Sequence, residues 1–336
     1  MARRPAMCVV VAGEGDTLPG LTAELGATAD LRFAADLEQL RHGLPGAEIV
    51  LIADFRSSML EQAWDAADHL AWVHVAGAGV DAALFADLVD SDVVVTNARG
   101  VFDDAIAEYV LGLMLAFVKD LPATLDLQRR RTWRHRETGR LSGTHVLFVG
   151  AGPIGQAIGR LARAVGMTTG GVARTARDDP HLGRVVAIDD LLEVLGDADF
   201  VVLVVPLTDD TWGLIGREEL AAMSSSARLI NVARGEVLDE DSLVAALDAN
   251  EIAGAALDVF GSEPLAPDSP LWTHPDVIVS PHMSGDVVGW RRALTDGFVD
   301  NFRRWQQGRD LHNVVDKRRG YVPTEHQRPQ SGADDG

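Results

Sequence analysis

Short apolar runs recur along this chain, and amphipathic stretches separate them. Residues 7–12, 48–52, 71–75 and 92–95 are short, mostly apolar runs that read as strands. Helical spacing appears between them at 17–25 and 37–42. A second series predicts strands at 145–149, 168–173, 200–205, 228–232, 253–259 and 277–280, with helices at 218–223 and 239–248. Strands that alternate with helices in this way predict an α/β fold of parallel sheets covered on both faces. The helix predicted at 102–118 carries Ile106, Val110, Leu111, Leu113, Met114, Leu115 and Phe117 around most of its circumference. A helix apolar all round is buried, which here means between domains or at a subunit interface.

One junction has a specific meaning. The run His145-Val-Leu-Phe-Val-Gly150-Ala-Gly152-Pro153-Ile154-Gly155 is a strand, a glycine turn and a helix start. The helix continues through Ala157, Ile158, Leu161, Ala162 and Val165 until Gly166 can close it. In such a turn Gly150 permits the reversal, Gly152 lets a pyrophosphate approach the backbone, and Gly155 lets helix pack on strand. The helix start then offers unpaired N–H groups and the positive dipole end to phosphate.

Because this fingerprint lies in mid-chain, its domain cannot begin at residue 1. We therefore expect two doubly wound parallel-sheet domains. A Rossmann nucleotide domain (99–285) is inserted into a flavodoxin-like substrate domain (1–98 and 286–319), completed by a helix at 286–306. From Gly320 onward Pro, Gln, Ser, Gly and Asp dominate, so 320–336 reads as a disordered tail.

Composition narrows the partners. With 336 residues the chain can bury two cores. Its formal net charge of −20 argues against nucleic acid and anionic membranes. Lysine occurs only at Lys119 and Lys317, a bias that fits either a high-salt habitat or a GC-rich genome. Cys8 is the only cysteine, which rules out a disulfide framework or thiolate metal cluster, and no metal site is expected. The opening segment turns charged too soon for a secretion signal and no apolar stretch has the length of a membrane span, so a cytoplasmic protein is expected.

Candidate chemistry lies just past the later strands, in Asn231-Val-Ala-Arg-Gly-Glu236, Leu257-Asp-Val-Phe-Gly-Ser-Glu-Pro264 and Val279-Ser-Pro-His-Met-Ser-Gly285. In an open parallel sheet that edge is where ligands bind. Arg234 can grip a carboxylate and polarise a carbonyl through its fork of donors. His282 can give or take a hydroxyl proton near neutral pH, and Glu263 can hold the imidazole and favour its charged form. Singly, these residues read as a surface ion pair, a turn residue and a solvated acid; together they suit hydride chemistry on a 2-oxo acid.

These strings, with Gly77-Ala78-Gly79-Val-Asp81 and Val205-Pro206-Leu-Thr208, resemble the D-isomer-specific 2-hydroxyacid dehydrogenases over nearly all of residues 45–315. The resemblance is nearest to the glyoxylate/hydroxypyruvate (2-oxoacid) reductases. It implies a homodimer, a small 2-oxo or 2-hydroxy acid substrate, and Arg234, Glu263 and His282 as the catalytic trio. It implies that backbone groups of Gly77, Ala78 and Gly79 join Arg234 and His282 in binding substrate. For the cofactor it adds Val205, Pro206, Thr211, Val232, Ala233, Asp258 (at the nicotinamide amide), His282 and Gly285. Formate-oxidising members carry glutamine where Glu263 stands, which speaks against formate. Phosphite-type oxidoreductases and corepressor-like NAD(H)-sensing binding proteins of the same superfamily share the trio. Loop residues Asp54-Phe55-Arg56 are candidates for shaping the substrate pocket.

The choice between NAD and NADP has its own signature in sequence. An NAD site has an acid about 20 residues beyond the first glycine, for the ribose 2′-hydroxyl. Here Ala173, Arg174 and Thr175 stand there, Arg177 follows, and Asp178 and Asp179 are expected in the next loop. An arginine suits a 2′-phosphate, so NADP(H) is expected to be favoured over NAD(H).

Overall fold

A computed structural model describes residues 4–54 and 56–323. The chain divides into two compact units, Met1–Val101 with Val288–Gly336, and Phe102–Val287.

Unit 1 is a five-stranded sheet formed by β1 (Ala6–Val10), β2 (Asp30–Ala34), β3 (Ile49–Ile52), β4 (Trp72–Val75) and β5 (Val94–Asn97). Its order is β2-β1-β3-β4-β5, every neighbouring pair is parallel, and the order is the flavodoxin-like one. β1, β3 and β4 are buried throughout, as the unbroken apolar runs of β1 and β3 require; β4 buries His74 as well. β2 was not expected: Asp30-Leu-Arg-Phe-Ala lies at the sheet edge, half solvated, and lacks a buried strand's hydrophobic run. The helix Trp290–Gln306 starts later than the expected 286, after Gly289 at φ 92°. Trp72 on β4 stacks with Phe298 and Trp305 of this helix, and Phe302 stacks with Trp305.

Unit 2 holds β6 (His145–Val149), β7 (Thr168–Ala173), β8 (Arg177–Asp179), β9 (Gly183–Ala187), β10 (Phe200–Leu203), β11 (Arg228–Asn231), β12 (Gly254–Leu257) and β13 (Val277–Val279). The order is β13-β12-β11-β10-β6-β7-β9-β8, parallel except for the β8–β9 pair. The predicted α/β class with doubly wound parallel sheets is the one observed. The helix Asp103–Val118 buries Ile106, Ala107, Val110, Leu113 and Met114, while Leu115 remains exposed. Its apolar circumference is therefore covered on one face, not all round. Among the described residues no helix is long and apolar enough to cross a membrane.

The first residues of the tail expected from Gly320 make defined contacts. Tyr321 bridges Asp316, and the Val322 carbonyl accepts from Arg99 Nη1 at 2.9 Å. Residues 324–336 and Phe55 lie outside the described residues.

Candidate active site

The parallel strands of unit 2 end at one edge, and each chemical string is the segment that leaves such an end. Between β6 and β10 the winding direction reverses, which opens a crevice for a ligand. The glycine turn leaves β6 at that point. Gly150 has φ 115°, and a Cβ there would lie 2.6 Å from the Val204 carbonyl oxygen. A Cβ on Gly155 would lie 2.4 Å from the Gly150 oxygen. Gly152, which precedes the helix Pro153–Ala164, instead faces open space, with nothing within 4 Å of an added Cβ. That open side, beside the unpaired N–H groups of a helix start, fits a dinucleotide pyrophosphate. Gly150, Gly152, Pro153, Ile154 and Gly155 are the residues that would hold it.

Beyond β7, Arg174 and Thr175 are exposed, and Arg177 Nη2 donates to the Ala151 carbonyl inside the glycine turn at 2.9 Å. Asp178 and Asp179 are not in a loop as expected but on β8, paired antiparallel with β9. The Asp179 carboxylate accepts from the backbone N–H of His181 (2.9 Å) and Leu182 (3.1 Å) and from Gln156 Nε2 (2.8 Å). Burial alone would push this carboxyl up; the three donors and the Arg177 charge outweigh it and hold it below the usual range. The interaction of Gln156 with Asp179 left no trace in the sequence, because neither residue breaks the helical or loop pattern around it.

The turn after β10 is closed by Thr211, whose hydroxyl donates to the Pro206 carbonyl at 2.7 Å and accepts from Thr208 N–H at 2.9 Å. Val205 is half-buried, while Val232 and Ala233, after β11, are buried. Buried Asn231 shapes the next turn, accepting from Ala233 N–H at 3.0 Å and donating to the Arg234 carbonyl at 2.9 Å. Arg234 Nη1 donates to the Ala233 carbonyl at 2.8 Å.

His282 and Glu263 meet as their chemistry suggested. His282 Nδ1 lies 2.9 Å from Glu263 Oε2 and 3.1 Å from Oε1, and the side chains are only 20% and 17% exposed. Glu263 Oε1 also accepts from Phe260 N–H at 3.1 Å, which fixes the acid. An ionised carboxylate only accepts, so Nδ1 carries its proton and Nε2 is the nitrogen that gains or loses one. His282 sits at φ 53°, with its own N–H on the Asp258 carbonyl at 2.7 Å.

Asp258 is fully buried. Its Oδ1 accepts from the Ser280 hydroxyl (2.6 Å) and Met283 N–H (3.0 Å), and Oδ2 from Ser284 N–H (2.8 Å). This is a strand-end clamp on the turn that carries His282; a contact with the nicotinamide amide rests on the resemblance alone. Tyr109, unsignalled in its apolar helix, belongs to the same network. Burial pushes its phenol above the ordinary range, the hydrogen bond with Ser280 opposes this, and the Asp258 charge reinforces it. Gly285 packs where a Cβ would lie 2.8 Å from Phe102 Cδ1.

In unit 1 the Gly77-Ala78-Gly79 segment follows β4. Asn97 Nδ2 donates to the Ala78 carbonyl at 2.5 Å, and Ala98 N–H to the Gly77 carbonyl at 2.9 Å. Arg56 N–H bonds the Asp54 carboxylate at 3.2 Å.

A fold of this order with an arginine, an acid-bound histidine and a glycine turn on one sheet edge defines a dinucleotide-dependent oxidoreductase architecture. Residues 111–284 match the family model of the D-isomer specific 2-hydroxyacid dehydrogenase, NAD binding domain. D-3-phosphoglycerate dehydrogenase of Methanocaldococcus jannaschii is 33% identical over 287 residues, 83% of this chain and 53% of that one. The chain thus spans about half the length of that relative. Glyoxylate reductase of Thermococcus gammatolerans is 32% identical over 232 residues, 66% of this chain and 69% of its own. An NADPH-dependent glyoxylate/hydroxypyruvate reductase from Sinorhizobium meliloti, solved with NADP and sulfate, superposes with a TM-score of 0.81 at 26% identity, covering 95% of this chain and 100% of that one. The chain belongs to the D-isomer specific 2-hydroxyacid dehydrogenase family, whose members are oxidoreductases acting on 2-hydroxy acids.

Proposed function

We propose that this protein interconverts a small 2-oxo acid and its D-2-hydroxy acid with a nicotinamide cofactor, glyoxylate and hydroxypyruvate being the first substrates to try. The observation that carries the reading is the 2.9 Å contact between His282 Nδ1 and Glu263, beyond the same sheet edge as Arg234 and the glycine turn. A bound reduced nicotinamide supplies a hydride. Arg234 grips the substrate carboxylate and draws charge from the carbonyl oxygen. His282 gives its Nε2 proton to that oxygen; with the hydride that the cofactor would supply to the carbonyl carbon, the product would be the hydroxy acid. Glu263 holds the ring in the tautomer this step needs and stabilises its charge. Asp258 holds the turn that carries the ring. Turnover of glyoxylate, hydroxypyruvate or a longer 2-oxo acid at or above about 1 per second is expected. Binding of cofactor without turnover of any of them would leave a nucleotide-sensing binding protein.

NADP(H) is the cofactor we infer to be favoured, with NAD(H) second. Arg174 and Thr175 stand where an NAD site keeps its acid, Arg177 is anchored to the glycine turn, and Asp179 is occupied by its own hairpin. The Sinorhizobium reductase, solved with NADP, supports the same choice. We expect kcat/KM for NADPH to exceed that for NADH by about tenfold or more, an expected cost of about 1.4 kcal/mol for losing the 2′-phosphate contacts. Equal or better efficiency with NADH would overturn it.

The partner we infer is a second copy of the chain. Unit 2 leaves Leu115, Leu121, Leu125 and Trp133 exposed, an apolar group that a monomer would have to solvate. Light scattering should report a dimer; a particle of 36.0 kDa at micromolar concentration would refute it.

A further inference from the structure

Unit 1 has a partly open pocket of about 260 Å³ that the proposed reaction does not use. His74, Asn97, Arg99, Gly297 and Asn301 are in its wall, and every residue of that wall belongs to unit 1. The volume would hold about eight waters, and the polar side chains in its mixed wall offer such waters partners.

The wall is rich in hydrogen-bond donors. Thr96 is fully buried and its hydroxyl has two side-chain partners among the described residues, Trp72 Nε1, which can only donate, and His74 Nδ1, each at 2.8 Å; the threonine's own hydrogen finds an acceptor only if His74 Nδ1 takes it. The ring proton of His74 therefore sits on Nε2. His74 is 2% exposed, and the side-chain hydrogen bond that its ring makes among the described residues is the one to Thr96, through Nδ1. Burial pulls the imidazole down to about 3, so at neutral pH the ring is an uncharged donor. Asn97 and Asn301 are each 3% exposed. Their amide oxygens already accept from Arg99 N–H at 3.2 Å and His312 N–H at 2.8 Å. Each Nδ2 gives one hydrogen to a carbonyl, that of Ala78 or His312, which leaves it one more to give. The Asp300 carboxylate in the wall has His312 Nε2 at 3.5 Å as its partner.

Gly297 explains why the space is open. It lies inside the helix Trp290–Gln306, where glycine is unfavourable, yet an added Cβ would meet nothing within 4 Å. No close packing demands the glycine; any larger side chain would begin to fill the cavity.

We propose that this cavity is a second binding site, for a small organic carboxylate whose oxygens accept from His74 Nε2, Asn97 Nδ2 and Asn301 Nδ2. The full chain carrying Arg234→Ala, which disables the carboxylate grip of the proposed reaction, is labelled with ¹⁵N-histidine and titrated with glycolate, D-lactate, D-glycerate and, separately, sulfate. The His74 Nε2 resonance should shift saturably with at least one carboxylate, half-saturating at or below about 10 mM. Gly297→Leu, a better helix former at that position, should keep the fold by circular dichroism and weaken binding tenfold or more. His74→Phe keeps a ring but not the donor, and should abolish the carboxylate-induced rise in melting temperature. No saturable shift with any of the three, undiminished binding in both variants, or sulfate bound as tightly as every carboxylate would overturn the proposal.

Discussion

His282 is fixed twice: its backbone by the Asp258 carbonyl and its ring by Glu263, itself held by Phe260 N–H. Positioned proton transfer of this kind contributes about 10²–10⁴-fold to rate. His282→Ala should lower kcat for reduction by about that factor while changing KM for the oxo acid much less, measured at saturating NADPH. A variant with wild-type kcat would remove His282 from the chemistry. Arg234, Glu263 and His282 were legible because each stands just past an unbroken apolar run, and a parallel sheet gathers such segments at one edge. The grip of Gln156 on Asp179 and the clamp of Asp258 on Ser280, Met283 and Ser284 were not. Those contacts join residues more than twenty positions apart, and hydrophobic periodicity carries no information on where a polar side chain finds its donors.

At the level of elements, the buried strands could be read and the solvated ones could not. β1, β3 and β10 are apolar throughout, as strands with both faces buried are, β4 differs only by His74, and β2 and β8 are polar because they are edges. The helix expected at 17–25 shrinks to Leu21–Leu25, following Pro19 and a left-handed Gly20 at φ 83°. Lys317 shows how a short helix is ended by a remote residue. Its ammonium donates to the carbonyls of Leu88 (2.9 Å), Ser91 (2.5 Å) and Val93 (3.0 Å), around the close of the helix Ala86–Asp90. Desolvation lowers its pKa, yet its three donors all find acceptors. Lys317→Met keeps the length and leaves those carbonyls without it. We expect a loss of about 1–3 kcal/mol in urea unfolding, and a change within about 0.5 kcal/mol would show the contacts to be idle surface ones.

Across the whole molecule, buried His74 links stability to pH. Its imidazole lies at about 3 in the folded chain and near 6.5 when unfolded, so between those values the unfolded state binds the extra proton. Stability from this group is therefore intact above about pH 6.5 and falls as pH drops, by about 2 kcal/mol at pH 5. Urea midpoints measured from about pH 7 to pH 5 should decline with that slope, and the decline should flatten in His74→Gln. An unchanged slope in the variant would assign the effect to other groups. The division of the chain has a different consequence, one of time. The sheet of unit 1 is encoded first, but the helix that stacks on Trp72 is encoded after all of unit 2, as are the Val315 N–H bonded to the Val95 carbonyl at 2.8 Å and Lys317. During synthesis, then, unit 2 has its whole core outside the ribosome while the strands of unit 1 still wait with an uncovered face. The earliest part of the chain to be made is the last able to finish folding, and its nascent form is where a chaperone has something to hold.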